Sequence, residues 1–579
     1  MAILVSPGVH VSEVDLTTST PAVSTSTGAI AGSFKWGPAN TAVLISSEVQ
    51  LANTFGAPDG NTANAFFTAA SFLAYSNSLY VARANSAGSN NATSNGTGEL
   101  IKNEHDYFVG SVYNSLAGQT GNPFTARYPG AMGNSLSVYV WANAAVWTAN
   151  TSNTADPLYP YASLFDYAPG TSPSVLSKTG YACNDELHIL VVDTYGAFSG
   201  TANTILEKYQ SISRLADATA PDGSNNYYKN VLFNKSSYVY WTGVPSSNVV
   251  HWGANTAVVN SNSFFTSDAS PNVASLSAGA DGHASDGDLL YAYNVFADKE
   301  AIDISLLMGA DSDAIVSQQV VQIATDRIDS VAFVSPPLAN TLGTGGDSSG
   351  PAQQIVNYFQ GLNAYSSYAV ADSGWKYMYD KYNDVYRWVP LNGDIAGLCA
   401  YTDNVKDPWW SPAGLQRGSI KNVIKLAFNP NQASRDLLYK NGVNPVVSFP
   451  GQGTILYGDK TMQNRPSAFD RINVRRLFIV LEKTISQAAQ SSLFEINDEF
   501  TQSQFVALVD PFLRTVQGRR GIYAYKIVCD DSNNTPAVVD ANQFVGDIYI
   551  QPARSINFIQ LNFVATRTGV NFSEVVGQF

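Results

Sequence analysis

The sequence predicts a multidomain chain of mixed α/β and α+β class, with a β-rich insertion in its first half and an extended arm at each end. Three observations carry that expectation. The 579 residues exceed what one hydrophobic core organises, which points to two to four domains. Strand-like and helix-like patterns alternate over 28–83, give way to Gly/Asn/Ser/Thr-rich sequence from about 86, and resume near 187. Both termini are short of the apolar residues needed to form a core.

Residues 1–20 read as an N-terminal arm, since Ile3 and Val5, then Val9 and Val11, alternate with smaller or polar residues around the turn Pro7-Gly8. The runs Gly28–Phe34 and Thr41–Ile45 read as strands. Asn64–Tyr75 reads as a helix carrying Phe66, Phe67, Ala70 and Leu73 on one face, and Ser78–Arg83 as the next strand. Segments 86–185, typified by the alternating Leu136–Trp141, read as the inserted β-rich domain. Segments 21–85 and 186–350 then form a middle α/β domain. It resumes with the apolar run Leu187–Val192 and a helix ahead of Ser330–Val334, and ends at the polar loop Asn340–Gly350.

Residues 351–564 read as an α+β core domain. It holds a strand-forming stretch Gly442–Tyr457 and a helix over Ile472–Gln490, whose Leu477, Leu481, Ile485 and Ala488 recur every three or four residues. A second helix starts near Thr501, where Thr501-x-x-Gln504 suggests a capping box. It ends before Gly518, with Pro511 expected to kink or break it. Strands Ile548–Ile550 and Ser555–Phe563 follow, and residues 565–579 form the C-terminal arm.

Composition narrows the function. Charged residues make up 13% of the chain, about half the roughly 25% of ordinary soluble domains, which suits a subunit that covers much of its surface with neighbours or a neutral polar surface. The net charge of −14 argues against nucleic-acid binding, which needs a positive face. Residues 1–360 carry 11 Lys and Arg against 27 Asp and Glu, whereas 361–579 carry 21 against 19, so the two parts face different surroundings. Cys183, Cys399 and Cys529 are far apart, which favours neither disulfides nor zinc and fits synthesis in a reducing cytoplasm. The N-terminus lacks the basic segment of a signal peptide, and no apolar run reaches the roughly 18 residues of a membrane span.

Three motifs tempt an enzymatic reading and fail on chemistry. Gly346-Asp-Ser-Ser-Gly-Pro351 has Ser349 where a protease-like nucleophile loop needs Gly, and no histidine stands in a triad context, so Ser348 is read as part of a linker. In Gly453-Thr-Ile-Leu-Tyr-Gly458-Asp-Lys460-Thr461, Asp459 displaces the lysine of a phosphate loop and adds a like charge, which favours a hairpin. Asp281-Gly-His283-Ala-Ser-Asp286-Gly-Asp288 offers oxygen ligands, out of order for a calcium loop, and reads first as a turn, with weak ion binding left open. His188, inside an apolar run, reads as structural. No catalytic, metal or cofactor site is expected.

Several segments, in order, resemble the tail sheath family of contractile-tailed bacteriophages. They are Pro7-Gly-Val-His-Val-Ser-Glu13, Gly32-Ser-Phe-Lys-Trp-Gly-Pro38, Leu79–Arg83, Ala126-Arg-Tyr-Pro-Gly130, Gly133–Leu136, Trp410-Ser-Pro-Ala-Gly414, Gly458–Thr461, Ile472-Asn-Val-Arg-Arg476 and Phe563-Val-Ala-Thr-Arg-Thr-Gly569. The departures lie at about 86–185 and 236–290. The resemblance implies a structural virion subunit, assembled in the host cytoplasm and not an enzyme. It would polymerise as a helical sleeve of stacked rings around a tail tube protein, bounded by baseplate and neck or terminator proteins, and contract to drive the tube through the host envelope. Nucleic acid and membrane insertion are not implied. In that setting an extended arm can add a strand to a neighbour's sheet edge, and unlike-surface contacts propagate into rings and helices. Ile3, Val5, Val9, Val11, Val570, Phe572 and Val575 are the expected arm contacts. The near-neutral last third is the expected inner layer, with Arg514, Arg519 and Arg520 facing acidic groups of the tube, and the insertion is the outer domain. A capsid or host-adhesion component is the competing reading, for which the Asn/Thr-rich insertion argues.

Overall fold

The computed structural model describes residues 24–109, 123–243, 251–265, 272–310, 313–345, 349–557 and 560. The expected arm contacts at 3–11 and 570–575 lie outside them, as does Ser348.

Short strands, buried except at the edge Ala42–Ile45 and at Tyr80, assemble a seven-stranded sheet in the order Val443–Asn444, Ala369–Asp372, Val331–Val334, Leu306–Gly309, Gly28–Gly32, Leu79–Arg83, Ala42–Ile45. Every neighbouring pair is parallel except the last. Parallel strands need crossover helices on the sheet faces, which explains why these strands are apolar runs with no polar side. In Gly28–Gly32, Ile30 points into one core with Phe66, Met308 and Phe333, while Ala29 and Ala31 point into another with Leu307, Val320 and Ile355. Helices Ala63–Leu73 and Asn392–Val405 cover the first face, and Asp286–Asn294, Ala314–Arg327 and Pro351–Leu362 the second. The approach of the first two is close. A Cβ on Gly393 would lie 2.4 Å from the Thr68 carbonyl oxygen, and one on Gly397 2.4 Å from the Tyr75 ring.

This sheet corrects two expected boundaries. It takes strands from both sides of 350, because the chain after the polar loop re-enters as helix Pro351–Leu362 and then strand Ala369–Asp372. The run Leu187–Val192 does not resume it. Strand Glu186–Asp193 instead sits inside a separate four-stranded antiparallel sheet, between Thr204–Ser213 and Leu136–Trp141, with Asn272–Ser275 beyond. Its eight buried residues face two clusters, Leu187, Ile189 and Val191 toward Trp241 and Leu232, Leu190 and Val192 toward Trp141 and Phe165. An apolar run marks a strand buried on both faces but does not say in which sheet. The stretch 86–185 is also less β-rich than expected. Among its described residues, strands Phe124–Ala126 and Leu136–Trp141 are accompanied by helices Glu104–Val109, Ala144–Ser152, Tyr159–Ala162 and Pro173–Thr179. Asn143 caps the second of these by accepting from the Ala145 N–H.

In the last third, Val446–Phe449 and Gly453–Leu456 pair as a hairpin, and helix Ile472–Ala489 forms as the periodicity predicts. The next helix runs from Glu499 to Gly518 and begins one turn earlier than expected, because Asp498 caps it by accepting from the Thr501 N–H at 2.8 Å. It continues through Pro511. The missing N–H there is tolerated because Leu513, Val516 and Val509 anchor the buried face on both sides of it. Strands Ile522–Val528 and Asp547–Pro552 pair antiparallel. Of the expected strand Ser555–Phe563, residues 555–557 and 560 are in no strand, and the remainder lies outside the described residues.

Candidate assembly surface

The two C-terminal helices place a small sheet in a definite setting. Leu477 and Leu481 of one helix meet Phe505, Val509, Leu513 and Val516 of the other, and Ile522, Tyr525, Ile527, Ile548 and Ile550 pack onto that seam. The opposite face of the sheet is open, with Tyr523 62% and Tyr549 61% exposed. Among the described residues each strand of the pair has a strand neighbour on one side only. An unpaired edge presents backbone N–H and C=O groups to any extended segment that reaches it.

The chain leaves this sheet across a buried carboxylate. Asp459, 4% exposed, accepts from Ser555 Oγ at 2.7 Å, Ser411 Oγ at 3.0 Å, Asn557 Nδ2 at 3.2 Å, and Arg471 Nη1 and Tyr439 Oη at 3.3 Å. Asn557 Nδ2 also donates to Tyr439 Oη at 2.6 Å. The base of the C-terminal segment is thereby tied to the hairpin region. The other terminus is anchored nearby in kind. The Arg476 guanidinium donates to the Thr25 carbonyl at 3.1 Å while paired with Asp403.

A cleft of about 1020 Å³ opens beside Asp459, walled by Trp409, Trp410, Tyr439, Tyr457 and Tyr523. Arg417, Arg435, Arg520 and Arg554 line it as well. Arg520 and Arg417 lie over the Trp410 ring at 5.8 and 5.5 Å, and Arg435 over Tyr457 at 5.9 Å. No sequence motif announces this cleft. Its one available signal is that Trp410–Gly414 and Gly458–Thr461, noted separately, meet through the Ser411–Asp459 hydrogen bond.

The three arginines expected at the tube fall into different settings. Arg514 is 74% exposed in its side chain and pairs with Asp510 one turn earlier at 2.9 Å. Arg519 pairs with Asp407 and lies over Trp409. Arg520 lines the cleft, so the structure brings 519 and 520 together beside the tryptophans and leaves 514 on the helix flank.

The tempting motifs resolve into structural roles. Lys460 Nζ donates to the Tyr439 carbonyl at 2.8 Å, and Thr461 Oγ1 to the Phe469 carbonyl. Ser285 and Asp288 form the capping box of helix Asp286–Asn294, and Asp281 accepts from the Ala131 N–H at 2.8 Å. Among the described residues no group of three or more His, Cys, Asp or Glu is arranged to hold a metal, and no helix is long and apolar enough to cross a membrane. His188 stacks on Phe165, accepts from the Ser211 N–H, and donates to the Tyr167 carbonyl. Burial lowers its pKa.

Comparison with known proteins addresses the same regions. Residues 25–84 match the model of the tail sheath protein Gp18 domain III N-terminal region, 282–462 that of the phage tail sheath protein central domain, and 464–566 that of the phage tail sheath C-terminal domain. The tail sheath protein of Vibrio phage KVP40 is 34% identical, over 99% of this chain and 100% of its own length. That of Enterobacteria phage T4 is 33% identical, over 99% of each. A crystal structure of a sheath tail protein from Listeria innocua matches with a TM-score of 0.50 at 12% identity, over 92% of this chain and 96% of that one, a likeness of fold.

Proposed function

The chain belongs to the phage tail sheath protein family, a structural subunit of a contractile virion tail and not an enzyme, and we propose that it polymerises by exchanging its terminal arms. In this reading the subunits form a helical sleeve around the tail tube. Residues 1–20 and 565–579 are the arms, with Ile3, Val5, Val9, Val11, Val570, Phe572 and Val575 as their contacts. They add strands to the open edges of the sheet Ile522–Val528/Asp547–Pro552 in neighbouring subunits. The observation that supports this is that sheet itself, paired on one side only among the described residues and reached directly by the segment tied down at Asp459.

The proposed organisation revises the expected one. An α/β body spans 24–85 and 282–462, in keeping with the single seven-stranded sheet. An outer module inserted at 86–281 is built on the four-stranded sheet, and an inner module over 463–560 carries the assembly surface. Arg514 and Arg519, both with exposed side chains, are assigned to the tube, and baseplate and neck proteins to the two ends of the polymer. Contraction requires no nucleotide, because an assembly held behind a barrier releases free energy when triggered.

Electron microscopy of the full-length chain beside variants lacking 1–20 or 565–579 tests the arms. Tubes or rings from the intact chain and monomers from either truncation are expected. Equal polymerisation by all three would refute arm exchange.

A further inference from the structure

A second contact between copies is written on the surface of the C-terminal module. The loop joining its two helices exposes Leu493 (63%), Phe494 (104%) and Ile496 (77%), and the first turn of the second helix exposes Phe500 (75%). Four large apolar side chains on one tip form a patch of the kind that marks an interaction site. Acidic groups surround them, Glu495, Asp498 and Glu499, and no Lys or Arg occurs from 484 to 513.

The cleft described above has the complementary character. Its walls are aromatic, and Arg417, Arg435, Arg520 and Arg554 line it with Asp436 and with Asp459, whose charge Arg471 already pairs. None of the four is in an ion pair among the described residues, whereas Arg471, Arg476, Arg514 and Arg519 nearby all are. Glu495 and Glu499 likewise have no basic partner among them. In a chain of net charge −14, four unpaired guanidinium groups in one aromatic cleft constitute a receptor for an acidic, apolar ligand.

Tip and cleft lie at opposite ends of one rigid element. The tip precedes and begins helix Glu499–Gly518, while Gln517, Arg520 and Tyr523 at its far end line the cleft. Twenty helical residues span about 30 Å, so a subunit cannot fill its own cleft with its own tip. We infer that the acidic apolar tip 493–500 of one copy seats in the aromatic, arginine-lined cleft of the next. The contact joins two unlike surfaces and therefore propagates in one direction without closing into a dimer. It rests on the reading of the chain as a self-polymer, and adds to the arms a rigid contact that sets the relative orientation of neighbouring modules.

The test uses the full-length chain carrying Glu495→Cys and Gln517→Cys, with a short bis-maleimide crosslinker. The native Cys183, Cys399 and Cys529 are buried. A ladder of covalent multimers from the double variant under conditions that give tubes, with no ladder from either single variant, is the expected result. A second arm reverses charge. Glu495→Lys with Glu499→Lys raises the critical concentration for assembly about tenfold, and adding Arg417→Glu with Arg520→Glu in the same chain restores it, as complementary charges require. Tubes without a ladder, or charge reversal with no effect on assembly, would overturn the contact alone and leave the cleft to another occupant, such as residues 561–579 or the tube protein. No tubes from the unmodified chain would overturn both this contact and the sleeve reading.

Discussion

Arg476 grips Asp403 with both ends of its guanidinium, Nη1 to Oδ1 at 2.8 Å and Nη2 to Oδ2 at 2.6 Å. The two side chains are 4% and 6% exposed. Arg476 sits on helix Ile472–Ala489, which packs against the C-terminal helix and two-stranded sheet, and Asp403 on helix Asn392–Val405, which lies against the large sheet. The same guanidinium reaches the carbonyls of Cys399 and Thr25. One buried cation thus joins helix Ile472–Ala489, helix Asn392–Val405 and the chain at Thr25. Burial works against the charge, and Asp403 more than offsets it, so the group stays above the ordinary arginine range.

Arg476→Ala is expected to destabilise the chain by about 3–5 kcal/mol, because it leaves the Asp403 carboxylate buried and unpaired. Thermal or denaturant unfolding measures the loss. The double variant with Asp403→Ala should lose clearly less than the sum of the two single variants, the signature of a direct pair.

Gly393→Ala should cost about 1–3 kcal/mol by overpacking. The added Cβ meets the Thr68 carbonyl oxygen at 2.4 Å, and this is backbone that cannot rotate aside. Gly361→Ala, on a helix position where a Cβ meets nothing within 4 Å, is the control and should be neutral or slightly stabilising in the same melt.

Asp372 gives the fold a pH dependence. Complete burial pushes its carboxyl up to about 8, against the Ser335 hydroxyl and Gly374 N–H that favour its charged form, with Asp394 adding to the rise. A folded-state value above the unfolded one means the native state binds the extra proton. Its contribution is therefore full below about pH 4 and is lost as the pH rises through 8. Asp372→Asn should flatten the fall in melting temperature between pH 5 and 8.5. An unchanged slope would assign that dependence elsewhere.

Asp459→Ala removes the acceptor for Ser555, Asn557, Ser411, Tyr439 and Arg471 at once. Amide hydrogen exchange over 553–557 should accelerate by an order of magnitude or more while that of helix Ala314–Arg327 stays unchanged. If residues 565–579 act as the proposed arm, polymerisation should weaken in parallel.

Truncating Leu513 to Ala should cost about 2–5 kcal/mol, because its fully buried side chain lies in the seam beneath the open sheet. If the sheet receives neighbouring arms, the variant should assemble only at raised protein concentration, as sedimentation would record.

Local elements and family membership are legible in consecutive residues. Strands at 28–32, 42–45 and 79–83 and helices at 63–73 and 472–489 follow from apolar periodicity, which is a property of consecutive residues. The order of short segments from Gly32–Pro38 to Ile472–Arg476 likewise pointed to the family that the relatives then showed. Partnership across the chain is visible only in the folded molecule. Leu187–Val192 reads the same whether its neighbours are Leu136–Trp141 or the strand at 306. Only the backbone hydrogen bonds between distant segments place it in the inserted sheet, and only they carry the large sheet past the polar loop at 340–350. The cleft was equally illegible, since Trp410, Arg435, Tyr457, Arg520 and Arg554 share no spacing. Their meeting is a consequence of how two helices and a hairpin pack, and packing joins residues by distance in space, which a linear pattern does not record.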